Sequence, residues 1–387
     1  MLTERSWHQR RVERLLREHP VVGILGPRQT GKTTLAHAVA DYRGGSVTVF
    51  DLEDPRHVRR LQEPTLELEP LRGLVVIDEI QRRPELFPIL RVLADRPRTP
   101  ARFLVLGSAS PELLRQGSES LAGRVAFHEL TPFDVDEVGA DRLARLWFRG
   151  GFPRSFLAKS ERAAEDWRRE FIRTFLERDL AALGASLPSP ALDRFWRMLA
   201  HWHGQVWNAS EFARSFAVSH TTVTRYVDLL AGAFVVRQLR PWFENLGKRL
   251  VKSPKVYIAD SGLLHTLLGV GTPAQLRVHP KTGASWEGFL LAQVVARLHA
   301  HPDECWFYAT HGGAELDLLV VAGGQRRGFE FKLTDNPTVT ASMRVALDDL
   351  KLDSLDVIHA GRDTYPLAHG IRAVAAASLV TALKPVR

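Results

Sequence analysis

The chain has 387 residues, 45% hydrophobic and 25% charged, which allows two or three domains with their own cores and argues against global disorder. Its single cysteine, Cys305, excludes an intrachain disulfide and a cysteine-rich zinc site. A net charge of +8 favours a polyanionic partner, while the lack of a bilayer-length apolar run or a signal-peptide core leads us to expect a cytoplasmic protein with no membrane partner.

Between Val21 and Glu129, five short Val/Leu/Ile-rich runs alternate with helical patterns: VVGIL, SVTVFDL, LVVIDEI, ARFLVLGSAS and VAFHEL. Such near-continuous apolar runs predict strands buried on both faces, hence a mostly parallel sheet covered by helices. The first run leads into GPRQTGKTT, which matches G-x-x-x-x-G-K-[ST]. Gly26, Pro27, Arg28, Gln29, Thr30 and Gly31 would form a loop whose N–H groups meet phosphate, and the helix opening at Lys32 adds positive potential. Lys32 would reach the β- and γ-phosphates, the Thr33 hydroxyl would ligate magnesium, and Thr34 completes the motif.

The third run, LVVIDEI, sets Asp78 and Glu79 at the end of a buried strand, where carboxylates need a cation or hydrogen-bonding partners. In a P-loop enzyme, Asp78 holds Mg2+ through water and Glu79 orients or deprotonates the attacking water. The fourth run ends in Ser108 and Ser110, either a γ-phosphate sensor or simple helix caps before Pro111. Arg124, in LAGR, is the candidate arginine finger, with Arg82, Arg83 and Arg91 as competitors; such a residue acts across an interface and implies a homo-oligomer, a hexamer being one form. From Asp134 to Leu187 the period is helical, and the aromatic series Trp147, Phe148, Phe152, Phe156, Trp167, Phe171 and Phe175 reads as a helical core. The prolines of LPSP mark a boundary.

GPRQTGKTT, LVVIDEIQRRPELFPILRVLAD, GSAS, LAGR and GGFP, taken in order with KVYIADSGLLHTLLG, the W-E-G-F around Glu287 and ELDLLV…FEFK, resemble a family of prokaryotic AAA+-like ATPases. The resemblance covers nearly the whole chain. It implies an ATPase core using ATP and Mg2+, a winged-helix segment and a restriction-endonuclease-like C-terminal domain. Ser108 departs from the Asn or Thr that many AAA+ proteins place at the sensor position.

The segment from Asn208, NASEFARSFAVSHTTVTRYVDLLAGA, reads as helix–turn–helix from its own residues. Asn208 and Glu211 give a capping-box-like start, and Ser219 caps a second helix that buries Val223, Val227 and Leu230. The opposite face presents His220, Thr221, Thr224 and Arg225, short polar groups suited to a DNA groove. Two strand-like runs, AFVVRQLRPW and KVYIAD, flank a basic turn with Lys248, Arg249, Lys252 and Lys255, which would contact phosphates as a wing. Winged helices also serve as protein contacts.

In the last third, Glu287 lies on a helical pattern, Asp317 on an apolar strand, and Glu330 and Lys332 alternate in GFEFKL so that they share a face. An Asp on one strand followed by Glu-x-Lys on the next is the PD-(D/E)xK arrangement, in which Glu287, Asp317 and Glu330 would hold metal and Lys332 would support the hydroxide. Glu315 shares the face of Asp317, as a supporting group or an ordinary strand charge. His201 and His203 lack a third ligand at useful spacing and read as structural.

The expected fold class is therefore α/β: a P-loop NTPase (AAA+-like) core at 1–133, a helical lid or linker at 134–190, a winged helix at 191–260 and a PD-(D/E)xK nuclease-like domain at 261–387. The expected activity is ATP hydrolysis coupled to DNA remodelling or translocation. Branched DNA such as a Holliday junction enters on fold analogy alone, and cleavage by the C-terminal domain stays open. The alternative is a nucleotide-dependent switch that binds a protein partner, with a silent C-terminal domain.

Overall fold

The computed structural model describes residues 4–97, 101–108, 123–180, 189–244 and 250–386. Ser110, Lys248 and Arg249 lie outside them. The chain divides into two compact units, 1–132 with 232–234, and 133–231 with 235–387. No helix among the described residues is long and apolar enough to cross a membrane.

The first unit is a five-stranded parallel sheet in the order β2-β3-β4-β1-β5, built from β1 (Val21–Gly26), β2 (Val47–Asp51), β3 (Gly73–Asp78), β4 (Ala101–Ser108) and β5 (Val125–Glu129). All five expected apolar runs are these strands. Because side chains alternate across a strand, each run feeds two cores. Val21 and Leu25 join Val75, Ile77, Phe103, Val105 and the helix Leu86–Ala94 on one face. Val22 and Ile24 join Val76, Leu104, Leu106 and the helices Ser6–Glu18 and Lys32–Arg43 on the other. β4 lies between β1 and β3, so its end falls between the strand ends that carry the loop and the acidic pair.

The second unit is built on a nine-stranded mixed sheet: β6 (Gln205–Val206), β7 (Val236–Pro241), β8 (Lys255–Ile258), β9 (Cys305–Ala309), β10 (Glu315–Ala322), β11 (Gln325–Lys332), β12 (Ser354–His359), β13 (Tyr365–Ala368) and β14 (Ile371–Ala375). Their order is β13-β14-β12-β11-β10-β9-β7-β8-β6. Helices Ser189–His201, Ala209–Phe216 and His220–Gly232 precede the antiparallel pair β7–β8, and β6 pairs with β8. Ala217, at φ 51°, reverses the chain between the second and third of these helices.

The sheet does not stop at residue 260. β7 pairs in parallel with β9 through Arg240–Trp306 and Pro241–Phe307, and Leu250 bridges Thr310. One hydrophobic cluster accordingly contains Leu239 and Tyr257 together with Phe289, Phe307 and Phe331. The winged-helix and nuclease-like segments separated in the sequence reading thus fold as one body, because β7 completes its hydrogen bonding on a strand far along the chain.

The aromatic series is core, as expected: Phe152, Phe156, Phe171 and Phe175 are buried, and the rings pass from Phe152 through Phe171 and Phe175 to Trp196. Two glycine motifs interlock beside it. Buried Asp260 accepts from Gly151 N–H at 2.7 Å and caps the helix Ser261–Leu267 through Leu263 N–H at 2.9 Å. A Cβ at Gly150, whose φ is +75°, would stand 2.1 Å from the Asp260 carboxylate. GGFP and ADSG therefore lock two helical segments together.

Candidate functional site

The Gly26–Thr34 loop leaves the C-terminal end of β1, where ligands of open parallel sheets bind. Gly26 has φ 155°, and a Cβ there would stand 2.2 Å from Leu130 O, so the loop can leave the strand only at a glycine. Gly31 adopts φ 95° and opens the helix Lys32–Arg43, whose N-terminus has no side-chain cap. Its orphan N–H groups are available to an anion. Inside the loop, Lys32 Nζ donates to Gly26 O at 3.0 Å and Pro27 O at 2.9 Å, and Thr30 Oγ1 donates to Pro27 O at 2.9 Å. Arg5, absent from the sequence reading, also braces the loop: it donates to Thr30 O at 3.0 Å and to Thr131 O at 2.7 Å.

Thr33 Oγ1 donates to Asp78 Oδ2 at 2.6 Å, so the two expected magnesium ligands already touch. Burial raises the Asp78 carboxyl, partly offset by the Thr33 hydrogen bond. Burial likewise pushes the Lys32 ammonium down to about 8, against the pull of Glu79 and Asp78. A hydroxyl paired with a carboxylate, a buried ammonium and an uncapped helix start fit a nucleotide phosphate with Mg2+.

Glu79 sits at φ 54°, an uncommon conformation for a side chain of its size. Its carboxylate accepts from Ser108 Oγ at 3.1 Å and from the Gln81 amide. Ser108 thus reaches the acidic pair from β4, through a glutamate. Gln81 was missed by the sequence reading, although its place two residues after Glu79 was visible.

Arg124 does not share this end of the sheet. It immediately precedes β5, its carbonyl accepts from Val21 N–H at the start of β1, and its guanidinium pairs with Asp95. The site lies where the strands finish, so Arg124 cannot serve the nucleotide of its own chain. Among its competitors, Arg82 meets Glu53 at 3.3 Å, and the loop residue Arg28 meets the same carboxylate at 3.4 Å.

In the second unit, His220, Thr221, Thr224 and Arg225 are all exposed, while Val223, Val227 and Leu230 are buried. Lys252 is exposed too. Lys255 overturns the expectation of a wing contact, since it is 3% exposed and points into a carboxylate cluster. Its Nζ pairs with Glu315, lies 3.4 Å from Glu287 Oε1 and 3.7 Å from Asp317 Oδ1. Lys332 Nζ lies 2.5 Å from Glu330 Oε2 and 3.8 Å from Asp317 Oδ2. Glu287, Asp317, Glu330 and Lys332 are therefore brought together as expected, around a second lysine and with Tyr257, whose hydroxyl donates to Glu287 at 2.7 Å.

Burial lifts Glu287 to about 7 and Glu330 to about 8, reinforced in both by Asp317. Burial works to lower Lys255, but Tyr257 and the carboxylates around it raise it well above its ordinary range. The set does not fit a divalent ion as arranged. No three ligand atoms from Glu287, Glu315, Asp317 and Glu330 lie within 4.8 Å of one another, and Asp317 Oδ2 is engaged by Phe331 N–H at 3.0 Å. The metal role expected of Glu287, Asp317 and Glu330 thus meets a cluster into which two ammonium groups already reach. His203 is buried and neutral, its pKa pushed by burial to about 3, and its Nδ1 accepts from Ile258 N–H at 2.9 Å; His201 is exposed, so the two form no pair.

Comparison with known proteins agrees with this architecture. The protein-family model described as an AAA domain matches residues 18–139, and two domains of unknown function, DUF8612 and DUF4143, match residues 140–274 and 282–379. "Uncharacterized protein Rv2008c" of Mycobacterium tuberculosis is 50% identical over 381 residues, covering 98% of this chain and 86% of its own length. "Uncharacterized protein Mb2031c" of Mycobacterium bovis matches to the same extent. The chain belongs to this family. The chain carries an AAA-type P-loop domain, a fold that implies nucleotide binding. Among solved structures, the Walker-type ATPase of Pyrococcus abyssi is 16% identical, with a TM-score of 0.46 over 69% of this chain and 96% of that one. Thermotoga maritima RuvB is 19% identical, with a TM-score of 0.30 over 61% of this chain and 90% of that one.

Proposed function

We propose that this protein is an ATPase that acts on DNA, remodelling it or moving along it as a homo-oligomer. The observation that carries the DNA half of this reading is the exposed face His220, Thr221, Thr224 and Arg225 on the second helix of a helix–turn–helix. Its first residues meet solvent with short polar groups, as base-edge readers do, while the buried face keeps the helix fixed. Lys252 and the net charge of +8 would add phosphate contacts that fade with salt.

When bound, ATP with Mg2+ supplies the phosphoryl group to be transferred. Lys32 would give up the carbonyls of Gly26 and Pro27 to neutralise the phosphates, and Thr33 with Asp78 would hold the ion. Glu79 would accept the proton of the attacking water at its carboxylate, once released from Ser108 and Gln81. Arg124 enters this reading only as a residue offered to a neighbouring subunit. The C-terminal strands, with Asp317 on β10 and Glu330 and Lys332 on β11, are read as a PD-(D/E)xK-type scaffold that meets the same DNA.

The test is ATP hydrolysis with and without duplex, single-stranded and four-way-junction DNA, with Lys32→Ala as the blank. Stimulation by one form, lost on Thr224→Ala with Arg225→Ala, is the expected result. An unchanged rate together with no DNA binding at low salt would discard this reading in favour of a nucleotide-dependent switch for a protein partner.

A further inference from the structure

We propose that Lys255 is the resident cation of the C-terminal cluster, and that its ammonium, delivered by the strand next to the helix–turn–helix, closes the cluster to a divalent metal. The inference rests on reading β10 and β11 as a nuclease-type scaffold, but it concerns what occupies that scaffold in this chain.

Asp317 lies on β10, and an ammonium faces each of its oxygens: Lys255 of β8 is 3.7 Å from Oδ1 and Lys332 of β11 is 3.8 Å from Oδ2. A lysine offers three N–H donors. Those of Lys255 face three carboxylates from two elements: Glu287 on the helix Thr282–Leu298, and Glu315 and Asp317 on β10. Its stem is buried on β8, and the ammonium lies 5.6 Å from the centroid of the Phe307 ring. Tyr257, two residues on and therefore on the same side of β8, fixes Glu287 from below at 2.7 Å.

An ammonium and a divalent ion compete for the same oxygens. Here the ammonium is covalently tethered and its strand is held on both edges, by β6 and β7. Its effective concentration at the carboxylates is that of an intramolecular ligand, which a free ion must outcompete. A metal at Asp317 would also sit between two positive side chains. The cluster is therefore complete without metal, and the C-terminal body serves to hold rather than to cut.

The test measures Mn2+ binding by the full chain without nucleotide or DNA, so its outcome is separate from the fate of the DNA-ATPase reading. Asp78→Asn, present throughout, removes the carboxylate of the P-loop site. Electron paramagnetic resonance of free Mn2+ counts the ions bound, and circular dichroism checks folding. Lys255→Met should create one Mn2+ site at least about tenfold tighter than any in the parent, since a unit charge leaves direct contact with the acids. Adding Asp317→Asn should abolish that gain, and Lys255→Arg should bind like the parent. A folded Lys255→Met that gains no site overturns the proposal. So does a parent whose Mn2+ binding is lost on Asp317→Asn, a comparison that stands even if Lys255→Met fails to fold.

Discussion

Lys32 makes the nucleotide site sensitive to protons in a way that can be worked out in advance. As the loop packs here, burial pushes its ammonium from the ordinary lysine range down to about 8. Phosphate oxygens around it would restore an ordinary or higher value, because opposite charge favours the protonated form. The free site is therefore the state with the depressed pKa. Below about pH 8 both states hold the proton, and affinity should not depend on pH through this group. As pH rises through about 8, the free site loses its proton first, and each ATP bound must bring one back. At about pH 8.5 the uptake should be about three-quarters of a proton per ATP, and at about pH 9.5 affinity should be about thirtyfold weaker than at neutral pH. Calorimetric titration in buffers of different ionisation enthalpy reads the uptake directly. Lys32→Arg, which keeps its charge at these pH values, should flatten the profile if it binds at all. An uptake near zero at that pH, or a net release, would refute the idea that burial sets the state of Lys32.

Two other changes separate chemistry from support. Glu79→Gln should leave ATP affinity within about threefold of the parent and slow hydrolysis about a hundredfold or more, read by nucleotide binding and phosphate release; equal loss of both would remove the general-base role. Asp260→Ala orphans the N–H groups of Gly151 and Leu263 and strips buried Arg168 of the carboxylate that acts most strongly on it. That should cost about 3–5 kcal/mol and lower the melting temperature of the second unit by about ten degrees, with a shift below about two degrees counting against the assignment.

The nucleotide site was legible because its residues are close in sequence and their chemistry is local. GPRQTGKTT needs only its preceding strand and following helix to be placed, and LVVIDEI announces both its burial and its polar end. The exposed face of the helix–turn–helix was legible for a similar reason, since a helix sorts its faces by its own period. Arg124 could also be placed, at the end of the sheet away from the loop: a residue just before a parallel strand stands at the opposite end of the sheet from a loop that follows one. Lys255 could not. KVYI next to a basic turn looks like a wing strand, and only the pairing of its neighbour β7 with the distant β9 brings its lysine beside Glu287 and Asp317. Asp260 in ADSG was legible as well, because an acidic residue just before an apolar helix is first of all a cap.

The seam between β7 and β9 bears on how such a chain can be taken apart. The two regions matched by DUF8612 and DUF4143 supply β6–β8 and β9–β14 of one sheet, so their boundary records how sequences have been grouped and not where the polypeptide can be cut. A fragment ending near residue 260 would bare the edge of β7, and the complementary fragment would bare the edge of β9, each an invitation to aggregate. Dissection of the chain should begin at the junction near residue 132, where it passes from one compact unit to the other, and treat everything built on the nine strands as indivisible.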